Sequence, residues 1–270
     1  MYTFIMKYNY HTHTFRCSHA SGIERNYIER AIANGIKKMG FSDHIPFMHK
    51  DGAEKYYRVK KKDVLDYFET LKALREEYKD KIEIYIGFET EYYPTYFDEM
   101  ISYALDMGAE YFILGQHQSG SDRADDPNGV NAYFCFDEND NEEELTRYIN
   151  DLISAVKSGY ISYAAHPDGY KFSGNVDFYK KEYARFLKVC KELNVPVELN
   201  LLGIRTNRHY PRPELWEIVG EIGTPVVFGM DAHDEPAAYD SASLIIANEM
   251  VKKYNLNFIS DYTPKIITKK

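Results

Sequence analysis

Short apolar runs alternate with longer amphipathic stretches along most of this 270-residue sequence. Because side chains repeat every two residues in a strand and about every 3.6 residues in a helix, the runs predict strands and the stretches predict helices. The predicted strands are 7–10, 39–42, 82–88, 111–115, 161–165, 195–199 and 225–229, and the predicted helices are 23–38, 60–81, 98–107, 141–158, 179–193, 213–222 and 237–254. Such alternation is typical of a parallel sheet, so we expect an α/β fold in which one domain, residues 1–270, forms a barrel-like sheet with helices outside and an irregular insertion at 119–141.

Residues that bind metals stand at or just beyond the C-terminal ends of these predicted strands. His11 and His13 follow the first strand, and because alternate side chains of an extended segment point the same way, both imidazoles can face one cation. In repeats of strand and helix, the C-terminal ends of the strands converge on one face. The other residues at such places are His44, Glu89, His117, His166, Asp231 and His233. The sequence therefore predicts a multinuclear metal centre on this face.

Composition and charge argue against several classes of protein. The net charge of −9 without a basic tract disfavours a nucleic-acid surface, which needs clustered lysine and arginine. No apolar run is long enough for a membrane span, and the N-terminal residues lack the pattern of a signal peptide. We therefore expect a cytoplasmic protein with neither a nucleic-acid nor a membrane partner, and the sequence leaves its oligomeric state open.

The cysteines do not form a disulfide framework. Cys17, Cys135 and Cys190 are odd in number and widely spaced, so we expect reduced thiols. Cys17 lies between His13 and His19, where a ligand role is conceivable, but thiol ligands usually come in C-x-x-C pairs. We interpret Cys17 as a bystander.

These motifs resemble a known family. The chain resembles the polymerase and histidinol phosphatase (PHP) superfamily of metal-dependent phosphoesterases in the motifs His11-Thr12-His13, Ser42-Asp43-His44, Glu89, Gly115-Gln116-His117, Ala165-His166-Pro167 and Asp231-Ala232-His233. The resemblance covers essentially the whole chain and implies a distorted (β/α)7 barrel that holds two or three metals. The stretch Glu198-Leu199-Asn200, followed by Gly203-Ile204-Arg205, resembles the histidinol-phosphate phosphatase branch.

Carried over position by position, the resemblance implies three groups of ligands. A first metal would lie between His11, His13, Glu89 and Asp231, a second between Glu89, His117 and His166, and a third between His19, His44 and His233. All of these positions hold residues able to bind Zn, Fe or Mn, so the identity of the metal stays open, as does the occupancy of the third site.

The chemistry of such a centre suits the hydrolysis of a phosphate monoester. Neighbouring cations can acidify a shared water toward neutral pH, and the hydroxide would attack phosphorus in line while the cations neutralise the phosphoryl oxygens. Glu89 has two oxygens and can bridge cations, and Asp231 or His233 would assist proton transfer to the leaving alkoxide. The resemblance implies L-histidinol phosphate, from histidine biosynthesis, as the small-molecule substrate.

Phosphate also needs donors other than the metals. Arg205 and Arg208 follow the sixth predicted strand, and a guanidinium matches the geometry of phosphate. We predict both as substrate-binding residues, and the resemblance implies Arg205 in particular.

Other interpretations stay open. The chain can be a phosphoesterase of the same superfamily that acts on phosphotyrosine or a nucleotide, or a metal-binding module without catalysis. Asp43 and Asp168 are candidates either to orient a ligand imidazole or to cap a helix, and Glu91 and Glu198 are either site carboxylates or solvated ones. His49 and His209 fall outside the pattern and are interpreted as loop residues, although His209 is near enough to Arg208 to meet a substrate imidazole.

Overall fold

The computed structural model describes residues 6–47, 55–119 and 133–268. The strands in this part of the chain are β1 (Tyr8–Asn9), β2 (Lys38–His44), β3 (Glu83–Thr90), β4 (Tyr111–Leu114), β5 (Gln118–Ser119), β6 (Tyr133–Phe134), β7 (Ile161–Ala164), β8 (Val197–Asn200), β9 (Pro225–Gly229) and β10 (Asn257–Phe258). Eight of them form a parallel sheet in the order β1-β2-β3-β4-β7-β8-β9-β10. The other two, β5 and β6, pair with each other in antiparallel fashion.

The main sheet contains every predicted strand, and the expected α/β barrel fold is confirmed. The count of seven strands is corrected, because the short strand β10 adds an eighth by pairing with the start of β9. A two-residue strand is too short to show alternation in a sequence. The pair β5 and β6 lies within and beside the stretch 119–141, which is expected to be irregular.

The chain just beyond β1 contacts the chain just beyond β9. Thr12 and Ala232 form an isolated parallel bridge. His13 N donates a hydrogen bond to Ala232 O at 2.9 Å, and Ala232 N donates one to His11 O at 3.2 Å. This bridge curls the sheet at the C-terminal ends of its strands and brings the first and last predicted ligand segments side by side.

The helices surround the sheet as expected. They are α1 (Glu24–Ala33), α2 (Val64–Tyr78), α3 (Phe97–Met107), α4 (Glu142–Lys157), α5 (Val176–Glu192), α6 (Leu201–Arg205), α7 (Pro213–Ile222) and α8 (Ser241–Lys253). The short helix α6 is not predicted from the sequence; it begins directly after β8, where the Asn200 side chain accepts a hydrogen bond from Gly203 N at 3.0 Å. None of the helices in the described ranges has both the length and the apolar character that crossing a bilayer demands.

Two groups of buried side chains fill the molecule. The larger one lies between the sheet and the helices and includes Trp216 and Phe88. The smaller one is dominated by tyrosines, among them Tyr8, Tyr111 and Tyr163. Buried hydroxyl groups need partners, and Tyr8 donates to Ile259 O at 2.6 Å while Tyr111 donates to Tyr10 O at 2.8 Å. This polar and aromatic packing belongs to the strands whose C-terminal ends carry the site.

Candidate metal centre

The C-terminal ends of the strands bring all nine predicted ligand residues into one cluster. His44 is the last residue of β2, Glu89 lies near the end of β3, and His117 and His166 follow β4 and β7. The remaining residues stand on the loops after β1 and β9 and are His11, His13, His19, Asp231 and His233. Their convergence follows from the parallel sheet, because each strand presents its last residues at the same edge.

Glu89 occupies the centre of this cluster. Its Oε1 lies 2.9 Å from His166 Nε2 and 3.7 Å from the Nε2 atoms of both His11 and His117. Its Oε2 lies 2.9 Å from His44 Nδ1 and 3.5 Å from His13 Nε2. The carboxylate therefore reaches five imidazoles from two oxygens, as a residue shared between neighbouring cations must.

Asp231 faces the two histidines that follow β1. Its Oδ1 lies 3.5 Å from His11 Nε2, 3.3 Å from His13 Nε2 and 3.3 Å from His233 Nδ1. The backbone of Asp231 has a φ of +48°, a left-handed conformation that a residue other than glycine rarely adopts. This turn aims the carboxylate at the cluster.

Several atoms at the centre lack a hydrogen-bond partner within the described part of the chain. They are His11 Nε2, His13 Nε2, Glu89 Oε2 and Asp231 Oδ1, and all are buried. Buried polar atoms are nearly always paired, so a group of them that points inward calls for a ligand. Separations of 3.3 to 3.5 Å between pairs of these atoms also match the spacing of atoms around one cation with bonds of about 2.0–2.2 Å. The residues present therefore fit divalent cations.

The third predicted group lies at the more open side of the cluster. His19 Nε2 lies 3.0 Å from His233 Nε2, and the His44 ring is centred 5.2 Å from the His19 ring. Cys17 is fully buried beside them, with its Sγ 3.9 Å from His19 Nε2. The structure thus places the thiol next to the predicted ligands.

Three carboxylates support the imidazoles from outside the cluster. Glu198 Oε1 accepts a hydrogen bond from His11 Nδ1 at 2.9 Å, Glu91 Oε1 lies 3.4 Å from His117 Nδ1, and Asp43 Oδ1 lies 3.5 Å from His13 Nδ1. Carboxylates in this position fix the orientation of a ligand imidazole. The sequence alone does not assign these three roles, because each carboxylate stands far along the chain from the histidine that it faces.

Two glycines make room for the buried glutamates. A Cβ atom at Gly115 would lie 1.7 Å from Glu89 Oε1, and one at Gly229 would lie 1.6 Å from Glu198 Oε1. A Cβ atom at either glycine would displace the neighbouring glutamate, because non-bonded atoms do not approach so closely. The absence of a side chain at these positions is therefore required for the carboxylates to reach the site.

The cluster shifts the pKa values of its own members. Burial alone would raise the pKa of Glu89, but His44, His117 and His11 hold it well below the ordinary value. Burial alone would lower the pKa of His11, but Asp231, Glu198 and Glu89 raise it to about 10. Burial, together with the charge of His13, lowers the pKa of His233 to about 3. Protons and cations compete for these nitrogens, since only an unprotonated imidazole binds a metal.

A cavity of about 880 Å³ opens over the cluster. One side carries His13, Glu89 and Asp231, and the rest of the wall is largely aromatic. The wall residues beyond the cluster are Tyr56, Tyr57, Gln118, Phe134, Phe136, Leu202, Arg208, His209 and Tyr210. Of these, only Arg208 and His209 are suggested by the sequence.

The two predicted substrate-binding arginines have different surroundings. Arg208 lines the cavity, and its Nη1 donates a hydrogen bond to Tyr210 Oη at 2.9 Å. Arg205 does not line it; its Nη2 donates to the carbonyls of Met230 at 3.2 Å and Asp231 at 3.3 Å. The emphasis that the resemblance places on Arg205 stays a prediction. Arg205 is the last residue of α6, and its guanidinium faces the backbone of the Asp231 turn.

Three further residues with open roles are Asp168, His209 and His49. Asp168 accepts hydrogen bonds from Arg212 N at 2.6 Å and Trp216 Nε1 at 3.1 Å, so it holds the start of α7. His209 lines the cavity and interacts through Nε2 with Gly169 O at 2.8 Å. His49 lies outside the described residues.

Comparisons with known proteins agree with this geometry. A family model described as the PHP domain matches residues 9–201. A protein of Deinococcus radiodurans named "Probable histidinol-phosphatase" is 27% identical over 226 residues, which is 83% of this chain and 85% of that protein. The histidinol-phosphatase of Bacillus subtilis is 23% identical over 260 residues, covering 83% of this chain and 92% of its own.

A solved structure has the same fold. It is histidinol phosphate phosphatase from Lactococcus lactis, in a crystal structure with zinc, L-histidinol and phosphate. It superposes with a TM-score of 0.68 over 94% of this chain and 95% of that chain, at 19% sequence identity. Because the family match runs from the first strand to the start of α6 and includes most of the chain, this protein belongs to the family of PHP-domain proteins.

Proposed function

We propose that this protein is a metal-dependent phosphoric monoester hydrolase that converts L-histidinol phosphate to L-histidinol and phosphate. The observation that carries the proposal is the cluster around Glu89, whose unpaired buried atoms face a cavity of about 880 Å³. The relatives named histidinol-phosphatase support this choice of substrate, since they match most of the chain and most of their own length.

Two or three divalent cations would be held by the predicted ligands. His11, His13, Glu89 and Asp231 would bind the first, and Glu89, His117 and His166 the second. His19, His44 and His233 would bind the third. When bound, such cations acidify water and neutralise charge on the phosphoryl oxygens.

Residues of this chain would position the ester over the cluster. Arg208 stands on the cavity wall, where its guanidinium can donate to phosphate oxygens, and Tyr210 holds that guanidinium through a hydrogen bond of 2.9 Å. Phe136 lies beside them, with its ring centred 5.8 Å from the His209 ring. An aromatic wall of this kind suits the imidazole ring of the leaving alcohol.

Asp231 and His233 are our candidates for the proton transfer to the departing alkoxide. Both line the cavity, and His233 Nδ1 lies 3.3 Å from Asp231 Oδ1. A carboxylate next to an imidazole can orient that ring and stabilise the charge it gains when it carries a proton. Glu89 would act by holding neighbouring cations together.

A substrate panel tests the proposal. Phosphate release is measured with L-histidinol phosphate, phosphotyrosine and a nucleoside monophosphate, using protein of known metal content and the same protein after chelation. We expect hydrolysis of L-histidinol phosphate with a kcat/KM at least tenfold above the other esters and loss of activity on chelation. Equal turnover of all three esters would overturn the substrate assignment, and inactivity of the metal-loaded protein toward all of them would overturn the reaction.

A further inference from the structure

A buried ion pair lies behind His117. Arg58 and Glu91 are each only 2% exposed, and Arg58 Nη2 contacts Glu91 Oε2 directly. The same Arg58 nitrogen donates a hydrogen bond to Tyr93 Oη at 2.9 Å, and Tyr93 Oη in turn donates one to Glu91 Oε2 at 2.6 Å. One oxygen of Glu91 is thus fixed by a cation and a hydroxyl group.

The other oxygen of Glu91 faces the metal centre. Glu91 Oε1 accepts a hydrogen bond from His117 N at 3.0 Å and lies 3.4 Å from His117 Nδ1. The second nitrogen of that ring, Nε2, lies 3.7 Å from Glu89 Oε1. Glu91 therefore contacts the backbone of His117 and the side of its ring that faces away from Glu89.

Arg58 is itself anchored to the end of β2. Its Nη1 donates a hydrogen bond to Ile45 O at 3.2 Å, and the next residue, Val59, donates from its backbone N to His44 O at 3.2 Å. The guanidinium also lies 5.1 Å from the centre of the Tyr57 ring, which forms part of the cavity wall. The position of Glu91 is therefore linked to the loop that follows another predicted ligand, His44.

We propose that Arg58 and Glu91 are positioning residues that hold the His117 imidazole in place for the second cation. The inference rests on the proposed function, because it concerns the same centre. A buried ion pair is a weak source of stability, since apolar replacements of both partners are often neutral for folding. The contacts between Glu91 and His117 instead give the ion pair a role in orienting this ligand. Mutation of residues that hold a metal ligand in place typically lowers metal affinity about 10–100-fold.

The experiment compares the metal binding of two double variants with that of the wild type. Arg58→Met with Glu91→Gln removes both charges and so leaves no unpaired buried ion. Arg25→Met with Glu77→Gln makes the same chemical change in an exposed pair between α1 and α2. Zinc stoichiometry and affinity are measured by elemental analysis and chelator competition, together with the Tm of the chelated proteins.

We expect the Arg58 and Glu91 variant to bind one zinc at least tenfold more weakly while the Tm of its chelated form stays within a few degrees of wild type. The Arg25 and Glu77 variant should bind zinc as the wild type does. Full zinc affinity in the Arg58 and Glu91 variant would overturn the inference. A wild-type protein that binds no zinc, iron or manganese would overturn the proposed centre itself, so the two failures are distinguishable.

A single substitution covers the case in which the double variant does not fold. Glu91→Asp keeps a negative charge beside Arg58 but withdraws the carboxylate from His117 by one methylene group. Weakened zinc binding by folded Glu91→Asp protein supports a positioning role, because the buried charge is retained. Unchanged zinc binding by that variant rejects it.

Discussion

Glu198 Oε1 lies 2.9 Å from His11 Nδ1, and both side chains are fully buried. This contact leaves His11 Nε2 free to face Glu89 and Asp231, at 3.7 Å and 3.5 Å. The other oxygen of Glu198 accepts hydrogen bonds from His166 N and Asn200 Nδ2. The Glu198 carboxylate therefore orients the His11 ring with one oxygen and holds the backbone of His166 with the other.

Replacing Glu198 tests this arrangement. Glu198→Gln should lower metal affinity or kcat by about 10–100-fold. A neutral amide holds the orientation of the His11 ring less strongly than a carboxylate does, and it does not raise the basicity of that ring. Elemental analysis and steady-state kinetics check the result. Glu182→Gln is the matched control, since Glu182 is also buried but pairs with Arg185 on α5, and it should leave metal content unchanged. Wild-type metal binding by Glu198→Gln would contradict this role.

Gly115 provides a second test. Its substitution by alanine should displace the Glu89 carboxylate, because the new Cβ would lie 1.7 Å from Glu89 Oε1. We expect the loss of at least one bound metal and of nearly all activity. Gly35→Ala serves as a control: it costs about 1–2 kcal/mol through its left-handed backbone but meets no atom within 4 Å, so metal content should be retained. A fully loaded Gly115→Ala protein would show that Glu89 is not confined as described.

The two arginines after β8 are expected to have different kinetic roles. Arg208→Ala should raise KM for the phosphate ester about tenfold or more at unchanged metal content, because Arg208 lines the cavity. Arg205→Ala should instead lower kcat or metal content, because Arg205 holds the carbonyls of Met230 and Asp231. Steady-state kinetics with metal analysis separate these outcomes. A larger effect of Arg205→Ala on KM than of Arg208→Ala would instead support Arg205 as the phosphate-binding residue that the resemblance implies.

Asp151 on α4 should make stability depend on pH. Burial raises the pKa of its carboxyl to about 7 from the usual 3.8, with only partial compensation by Arg147. Between these values the folded protein keeps a proton that the unfolded chain has lost, so this group makes the free energy of unfolding fall as pH rises. Asp151→Asn removes the effect and should stabilise the protein by on the order of 2–4 kcal/mol at pH 8 but not at pH 4.

Urea denaturation at the two pH values, followed by the fluorescence of the single tryptophan, Trp216, measures the difference between wild type and Asp151→Asn. Comparison of the two proteins cancels the titration of the other groups. A gain in stability that is the same at both pH values would show that the Asp151 carboxyl titrates normally.

Local sequence patterns predicted most of the fold. The run 225–229 and the helix at 213–222 agree with β9 and α7 at both ends, because Pro and Gly mark their boundaries. The predicted helix 23–38 is too long, since α1 ends at Ala33 and the chain enters β2 at Lys38. The sequence does not predict the strand β10 or the helix α6, because both are too short to show periodicity.

The sequence by itself determined that imidazoles and carboxylates would meet at one edge of a parallel sheet. Strand ends carry them, and the alternation of strands and helices leaves those ends on one face. Only the tertiary structure decided which carboxylate supports which imidazole, as in Glu198 with His11, and which arginine reaches the cavity. The physical reason is that such pairings depend on distances of a few ångströms between residues far apart in the chain, and these distances are set by how strands, helices and loops pack together.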